Sequence, residues 1–135
     1  MKKIKTALIS VSDKKNLKPL LFSLKKNNIK IISSGGTYKE IKKLKFKCLE
    51  VSKFTGSPEI LEGRIKTLHP KIHAGILNKR KSKIHLKDLK YNNFENIDLV
   101  IVNFYPFEET LKNTKNHNKI VENIDVGGPT MVRSA

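Results

Sequence analysis

The run from Gly63 to Gly75 contains the residues of this chain whose types and spacing best suit chemistry on an anion. It reads Gly-Arg-Ile-Lys-Thr-Leu-His-Pro-Lys-Ile-His-Ala-Gly. Arg64 and Lys66 stand two residues apart, and Thr67 follows directly. Because residues two apart project to the same side of an extended segment, two cations and a hydroxyl are predicted to converge on one anionic small molecule. Pro70 then ends the segment.

Polar residues also follow three of the predicted strands, in the segments Ser10–Lys14, Ser33–Thr37 and Asn103–Tyr105. In a parallel sheet these segments share the carboxyl edge, where ligands commonly bind. Gly35 and Gly36 let backbone N–H groups approach an oxyanion, and a following helix adds its positive end. With the hydroxyls of Ser34 and Thr37 and the charge of Lys14, they describe a phosphate pocket. The structural alternative for Ser34–Thr37, a plain turn with a helix N-cap, stays open on the residues alone.

Several other residues have both a chemical and a structural interpretation. Asp125 is either a general acid or base, or the N-cap of the last helix. Tyr105 is either a proton donor or an aromatic core residue whose hydroxyl reaches water. His69 and His73 are four residues apart, but neither an acidic residue nor a cysteine lies near them, so we predict no metal site. Cys48 is interpreted as a half-buried hydrophobic residue.

The hydropathy pattern alternates between strands and helices. Strands are predicted at 4–11, 29–33, 48–51 and 97–102, and helices at 17–26, around 41–44, at 58–61, from 70 through 76, at 107–113, at 117–123 and after 127. This alternation predicts an α/β fold with a mainly parallel central sheet covered by helices. The apolar 97–102 segment is predicted to be a buried central strand. Residues 52–58 are predicted to be a loop, and 78–93 a mobile surface connection.

Composition narrows the class of protein further. The net charge is +16, but the lysines are spread along the chain and only three of the 28 basic residues are arginines, so we predict steering of anionic ligands and no nucleic-acid partner. The sequence has no apolar run long enough for a transmembrane span, so no membrane partner is predicted. The basic N-terminus lacks an unbroken apolar stretch, which argues against a secretory signal. A single cysteine fits a cytoplasmic location.

The chain resembles the N-terminal IMP cyclohydrolase domain of the bifunctional enzyme AICAR formyltransferase/IMP cyclohydrolase. The matching segments are Ala7–Lys14, Ile32–Thr37, Phe54–Leu77, Val102–Phe107 and Asp125–Ala135. The resemblance covers essentially all of residues 1–135 and implies one domain with the methylglyoxal-synthase-like three-layer α/β sandwich.

The activity implied by this resemblance is ring closure of formyl-AICAR (5-formamidoimidazole-4-carboxamide ribotide) to IMP with loss of water, in purine biosynthesis. The chemistry needs a cation at a developing oxyanion and acid-base groups around it. Lys66 matches the first role, and Tyr105 and Asp125 match the second. The substrate-binding positions implied by the match are Ser10, Ser12, Lys14, Ser34, Gly35, Gly36, Thr37, Arg64, Thr67, Asn103, Gly127 and Gly128. No cofactor is implied for this step, and members of the family are homodimers.

The resemblance also predicts a C-terminal truncation. The family continues past Ala135 with an Ala-Lys-Asn-His segment whose lysine takes part in catalysis, and with a formyltransferase domain. We therefore expect weak or no cyclohydrolase activity from residues 1–135 alone. Two alternatives are a methylglyoxal synthase and a nucleotide-binding regulatory module without turnover.

Overall fold

A computed structural model describes residues 3–135, in which a four-stranded parallel sheet lies between two layers of helices. The strands are β1 (Thr6–Val11), β2 (Lys30–Ser33), β3 (Leu49–Glu50) and β4 (Leu99–Asn103). Their order across the sheet is β3-β2-β1-β4, and each neighbouring pair is parallel. The predicted α/β class and parallel sheet are confirmed. Met1 and Lys2, which begin the predicted domain and its basic N-terminal stretch, lie outside the described residues.

Eight helices accompany these strands in residues 3–135. They are α1 (Leu17–Lys26), α2 (Gly35–Lys43), α3 (Val51–Thr55), α4 (Pro70–Leu77), α5 (Lys83–Tyr91), α6 (Phe107–Asn113), α7 (His117–Glu122) and α8 (Gly127–Ser134). A 3-10 turn occupies Leu61–Gly63. None of the helices in the described part of the chain is long and apolar enough to cross a membrane.

Each face of the sheet has its own apolar core, because successive strand residues point to opposite sides. On one face, Ala7 and Ile9 of β1 pack with Leu21 of α1 and Ile41 of α2. On the other face, the core contains Leu8 and Ile32 from the sheet, Phe54 of α3, Ile72 of α4 and Met131 of α8. The sheet is therefore the middle of three layers.

Three local predictions were wrong. Residues 52–58, predicted to be a loop, contribute most of α3, which buries Val51 and Phe54. Residues 78–93, predicted to be a mobile connection, contain α5, whose buried residue is Leu89. Because each helix buries only one or two of its residues, neither has a clear buried face in its sequence. The helix predicted at 58–61 is replaced by extended backbone at Ile60 and a 3-10 turn with positive φ at Leu61 and Glu62.

The position of β4 also differs from the prediction. In the described residues β4 pairs only with β1, so it forms an edge of the sheet, and residues 99–102 are half-buried. An apolar run shows that a strand packs on both faces. It does not show how many strands flank it.

Candidate functional site

The carboxyl ends of β1 and β4 create the crevice at which the site is built. From β1 the chain proceeds through β2 to β3 on one side and later returns to β4 on the other. Loops diverge at such a switch point and leave room for a ligand. The Asn103 side chain closes the crevice floor: its Oδ1 accepts from the N–H groups of Ser12 (2.5 Å) and Asp13 (3.1 Å), and its Nδ2 donates to the carbonyl of Asp13 (2.8 Å).

A cavity of about 490 Å³ opens above this floor. Among the residues that line it are nearly all those predicted from the sequence: Ser10, Ser12, Lys14, Ser34, Gly36, Thr37, Arg64, Lys66, Thr67, Asn103, Tyr105, Asp125, Gly127 and Gly128. Gly35 is the predicted residue that is not in the lining. Residues that are far apart in sequence therefore meet around one space large enough for a nucleotide.

Lys66 extends between the Gly35 turn and the Gly63 loop. A methyl group added at Gly35 would lie 2.8 Å from Lys66 Nζ, and one added at Gly63 would lie 3.3 Å from it. Gly35 has a φ of +53° as well, so both its backbone conformation and the available space favour glycine. The ammonium group of this cavity-lining residue lies next to the turn that was predicted to hold an anion.

The Ser34–Thr37 segment is the start of α2, since the helix begins at Gly35. A second cation near this turn is Lys14, whose Nζ lies 3.8 Å from where a Gly36 methyl would be and donates to the carbonyl of Ser12 at 2.9 Å. Backbone N–H groups at the start of a helix and a lysine together favour an anion.

The Thr37 hydroxyl has a structural role that the sequence did not predict. It donates to the carbonyl of Val11 (2.9 Å) and accepts from the Val11 N–H (3.0 Å). Thr37 is 4% exposed, so it fastens α2 to the end of β1 instead of presenting a free donor.

Arg64 lies at the cavity mouth and is paired with a carboxylate. Its backbone is helical (φ −65°, ψ −28°), which corrects the prediction of an extended segment there. Its Nε donates to Glu122 Oε2 at 3.1 Å, and Nη2 donates to the same oxygen at 2.5 Å. The hydrogen bond and the charge of Glu122 raise the pKa of the Arg64 guanidinium.

Asp125 closes the cavity from the α8 side. Its Oδ1 accepts from the Gly128 N–H at 2.8 Å, a helix-start hydrogen bond like the proposed structural role, although the N-cap residue is Val126 and not Asp125. The side chain still lines the cavity. A methyl group at Gly128 would lie 2.7 Å from Asp125 Oδ2, and one at Gly127 would lie 2.7 Å from Thr67 Oγ1. The two glycines thus let α8 begin directly against Asp125 and Thr67.

Tyr105 lies on the same side of the cavity, and its phenol stays protonated. Burial, with the nearby charges of Asp125 and Glu122, raises the pKa of its phenol above the ordinary value. Tyr105 is 44% exposed and lines the cavity, and the hydroxyl is the only polar group of its side chain. At neutral pH it is a proton donor.

The remaining predicted candidates have structural positions. His69 Nδ1 accepts from the Lys71 N–H and begins α4. His73 Nδ1 is 2.8 Å from Ser134 Oγ. Burial raises the pKa of the Cys48 thiol to about 12, as expected for a packed side chain. Within residues 3–135, His, Cys, Asp and Glu form no cluster suited to a metal ion.

Sequence reasoning missed part of the lining. Two carboxylates, Glu62 and Glu122, and an apolar group formed by Val121, Ile124, Val126 and Met131 contribute to the cavity. Most of these residues belong to α7 and the turn after it, where the sequence is polar and has no recognisable motif. For Val121, Glu122 and Ile124 the one available signal was their position just before Asp125.

Comparisons with known proteins identify relatives of this chain. The family model described as MGS-like domain matches residues 16–130. The chain is 55% identical over 130 residues to the bifunctional purine biosynthesis protein PurH of Prochlorococcus marinus (strain MIT 9301), covering 96% of this chain and 25% of that protein. It is 50% identical over 133 residues to PurH of Acetivibrio thermocellus, covering 98% of this chain and 26% of that protein.

A solved structure gives the same result for the fold. The crystal structure of ForH superposes with a TM-score of 0.82 and 30% sequence identity, covering 98% of this chain and 67% of ForH. The chain spans about a quarter of the length of the PurH relatives it matches.

Proposed function

Because the chain belongs to the MGS-like domain family, with PurH proteins among its relatives, we propose that its cavity binds formyl-AICAR and IMP and supports the ring closure between them in purine biosynthesis. The observation that carries this proposal is the position of Lys66 Nζ, between the Gly35 turn and the Gly63 loop and in one cavity with Tyr105 and Asp125. One cavity thus contains a cation, a proton donor and a carboxylate, the groups that the reaction needs.

The proposed reaction begins when the carboxamide nitrogen attacks the formyl carbon. The electron pair of the formyl C=O moves to oxygen, and the Lys66 ammonium stabilises the developing negative charge. The attacking nitrogen loses a proton and the oxygen gains one. Loss of this hydroxyl with a proton from the former formamide nitrogen then gives the C=N bond of IMP and one water.

Tyr105 and Asp125 divide the proton transfers in this proposal. The raised pKa of Tyr105 keeps its phenol protonated and suits it to donate toward the departing oxygen. Asp125 Oδ1 is fixed by the Gly128 N–H, and this leaves Oδ2 as the oxygen available to accept a proton from nitrogen. The phosphate of the nucleotide is assigned to the part of the cavity lined by the start of α2, Lys14 and Arg64.

The test measures IMP binding by calorimetry and IMP formation from formyl-AICAR by absorbance, in the wild-type chain and in Lys66→Ala. We expect IMP to bind, Lys66→Ala to weaken binding, and any turnover to fall by about 10²–10³. Lys39→Ala is the matched control, since Lys39 is an exposed lysine of α2 outside the cavity lining. Absence of IMP binding by the folded chain would refute the proposal.

The same experiment separates the alternatives. IMP binding that depends on Lys66 with no turnover would assign the chain to nucleotide binding without catalysis, in line with the weak turnover expected for residues 1–135. Conversion of dihydroxyacetone phosphate by the same sample would instead assign it to the methylglyoxal synthases.

A further inference from the structure

Glu122, like Glu62 and Asp125, is a carboxylate in a cavity proposed to hold a phosphorylated ligand. It lines the same space as Lys14, Lys66 and Arg64, and its charge reaches Tyr105 as well. A fixed negative charge at this point opposes binding of a phosphorylated ligand. Glu122 therefore does not favour binding by contacting the phosphate directly, and its place in the cavity must have another physical basis.

The Glu122 carboxylate binds the Arg64 guanidinium, the group that an anionic ligand would otherwise bind. Glu122 Oε2 accepts from both Nε and Nη2 of Arg64. Arginine binds carboxylate and phosphate oxygens through this same planar fork. While Glu122 holds these two donors, Arg64 cannot direct them at a ligand.

The pair is built so that it can separate. The Arg64 side chain is 60% exposed and that of Glu122 is 51% exposed, so water can solvate both when they part. Exposed ion pairs contribute little net stability. The two side chains also belong to different walls of the cavity, Arg64 to the turn after Gly63 and Glu122 to the end of α7.

We propose that Glu122 is an internal competitor for Arg64 and thereby a specificity-determining residue of this site. In the free protein it occupies the guanidinium, and a bound nucleotide replaces it with its phosphate. A doubly charged phosphate competes well against one carboxylate, whereas a nucleoside without phosphate does not displace it. This inference rests on the proposed function, because it takes a nucleotide monophosphate as the ligand.

The test is a double-mutant cycle on Arg64 and Glu122, read out as the Kd of IMP and of inorganic phosphate by calorimetry. Glu122→Gln is expected to tighten binding of both ligands by about two- to five-fold, the range of exposed ion pairs. In the Arg64→Ala background, Glu122→Gln is expected to give little of this gain in affinity. Glu109→Gln, which removes an exposed carboxylate of α6 outside the cavity lining, is expected to leave both Kd values unchanged.

Each outcome bears on the proposal. A gain from Glu122→Gln that persists in full with Arg64→Ala would show simple charge repulsion and overturn the exchange. Weaker binding by a folded Glu122→Gln variant would make Glu122 a direct ligand contact and also overturn it. If IMP binds and Lys66→Ala weakens it while Glu122→Gln has no effect, this inference fails and the proposed function stands. If folded wild-type protein does not bind IMP, the proposed function fails, and this inference with it.

Discussion

His73 illustrates how burial of one side chain ties the stability of this protein to pH. The hydroxyl of Ser134 donates to the carbonyl of Thr130 at 3.0 Å, so at 2.8 Å from His73 Nδ1 it serves as the acceptor. His73 thereby carries a proton on Nδ1, and this hydrogen bond links α4 to α8. Burial lowers the pKa of this imidazole, partly offset by the Thr67 backbone.

A lowered pKa in the folded state predicts the direction of the pH dependence. Between about pH 6.5 and the lowered pKa, the unfolded chain binds a proton that the folded chain does not. The contribution of His73 to stability is therefore complete above about pH 6.5 and is lost as the pH falls. We expect the Tm of wild-type protein to fall from pH 7.5 to pH 5.5, with His73 accounting for a few degrees at most.

The measurement is thermal unfolding, followed by circular dichroism, of His73→Asn, whose amide can still donate toward Ser134. This variant should lose less Tm between pH 7.5 and 5.5 than wild type. His117→Gln, at an exposed position that begins α7, should keep the wild-type slope. An unchanged slope in His73→Asn would show that other groups determine the pH dependence.

At the residue level, the sequence predicted cavity residues well where they occur in dense motifs. Lys66 and Thr67 belong to one such run, and both line the cavity. Glu122 was missed because its partner Arg64 lies 58 positions away and α7 has a plain polar sequence. Only the folded chain brings these two charges together.

Elements differ in how strongly their own sequence specifies them. The spacing of Leu17, Leu21 and Leu24 predicted α1, and all three are buried. α5 was missed because Leu89 is its buried residue and its other positions are mainly solvated lysines and polar groups. Contacts that the hydropathy pattern does not show stabilise this helix, such as the hydrogen bond at its start, in which Ser82 Oγ accepts from the His85 N–H.

The packing of α4 shows a constraint that no helical pattern reveals. Gly75 is buried, and its carbonyl accepts from the Ile97 N–H at 2.9 Å, just before β4. A methyl group at Gly75 would lie 2.7 Å from the Glu95 carbonyl oxygen and 3.2 Å from Ile97 Cγ1. The absence of a side chain therefore determines how closely α4 approaches the start of β4.

Gly75→Ala is accordingly expected to destabilise the fold, although alanine favours a helix more than glycine does. Overpacking costs about 1–3 kcal/mol, and helix propensity offsets roughly 0.5–1 kcal/mol of that. Urea unfolding should show a net loss of about 1–2 kcal/mol at an unchanged m-value. Gly36→Ala is the matched control: its methyl would meet nothing closer than the Lys14 side chain at 3.8 Å, so stability should hold or rise slightly. Equal stability of the two variants would contradict this account of α4.

For the molecule as a whole, the order of the strands determines where the site forms. Both β1 and β4 end at the same edge, and α1, which follows β1, and α8, which follows β4, pack on opposite faces of the sheet. The sequence predicted parallel strands but not that β4 would lie next to β1, because periodicity carries no information about strand order. The crevice between them was predicted only in so far as polar segments follow both strands.

The net charge of +16 also acts at this scale, since it surrounds the cavity with a positive potential. Only charges near the mouth act at full strength, because the Debye length is about 10 Å at 0.1 M salt. IMP affinity should therefore fall several-fold between about 0.05 M and 0.5 M NaCl, a range over which that length shrinks about three-fold. Calorimetric titration at both concentrations tests this, with inosine as the control ligand, because it has the same base and ribose but no phosphate. Inosine should bind more weakly and with little salt dependence. If the affinity for IMP did not change with salt, short hydrogen bonds would be what binds the phosphate, and the scattered lysines would not contribute to IMP binding.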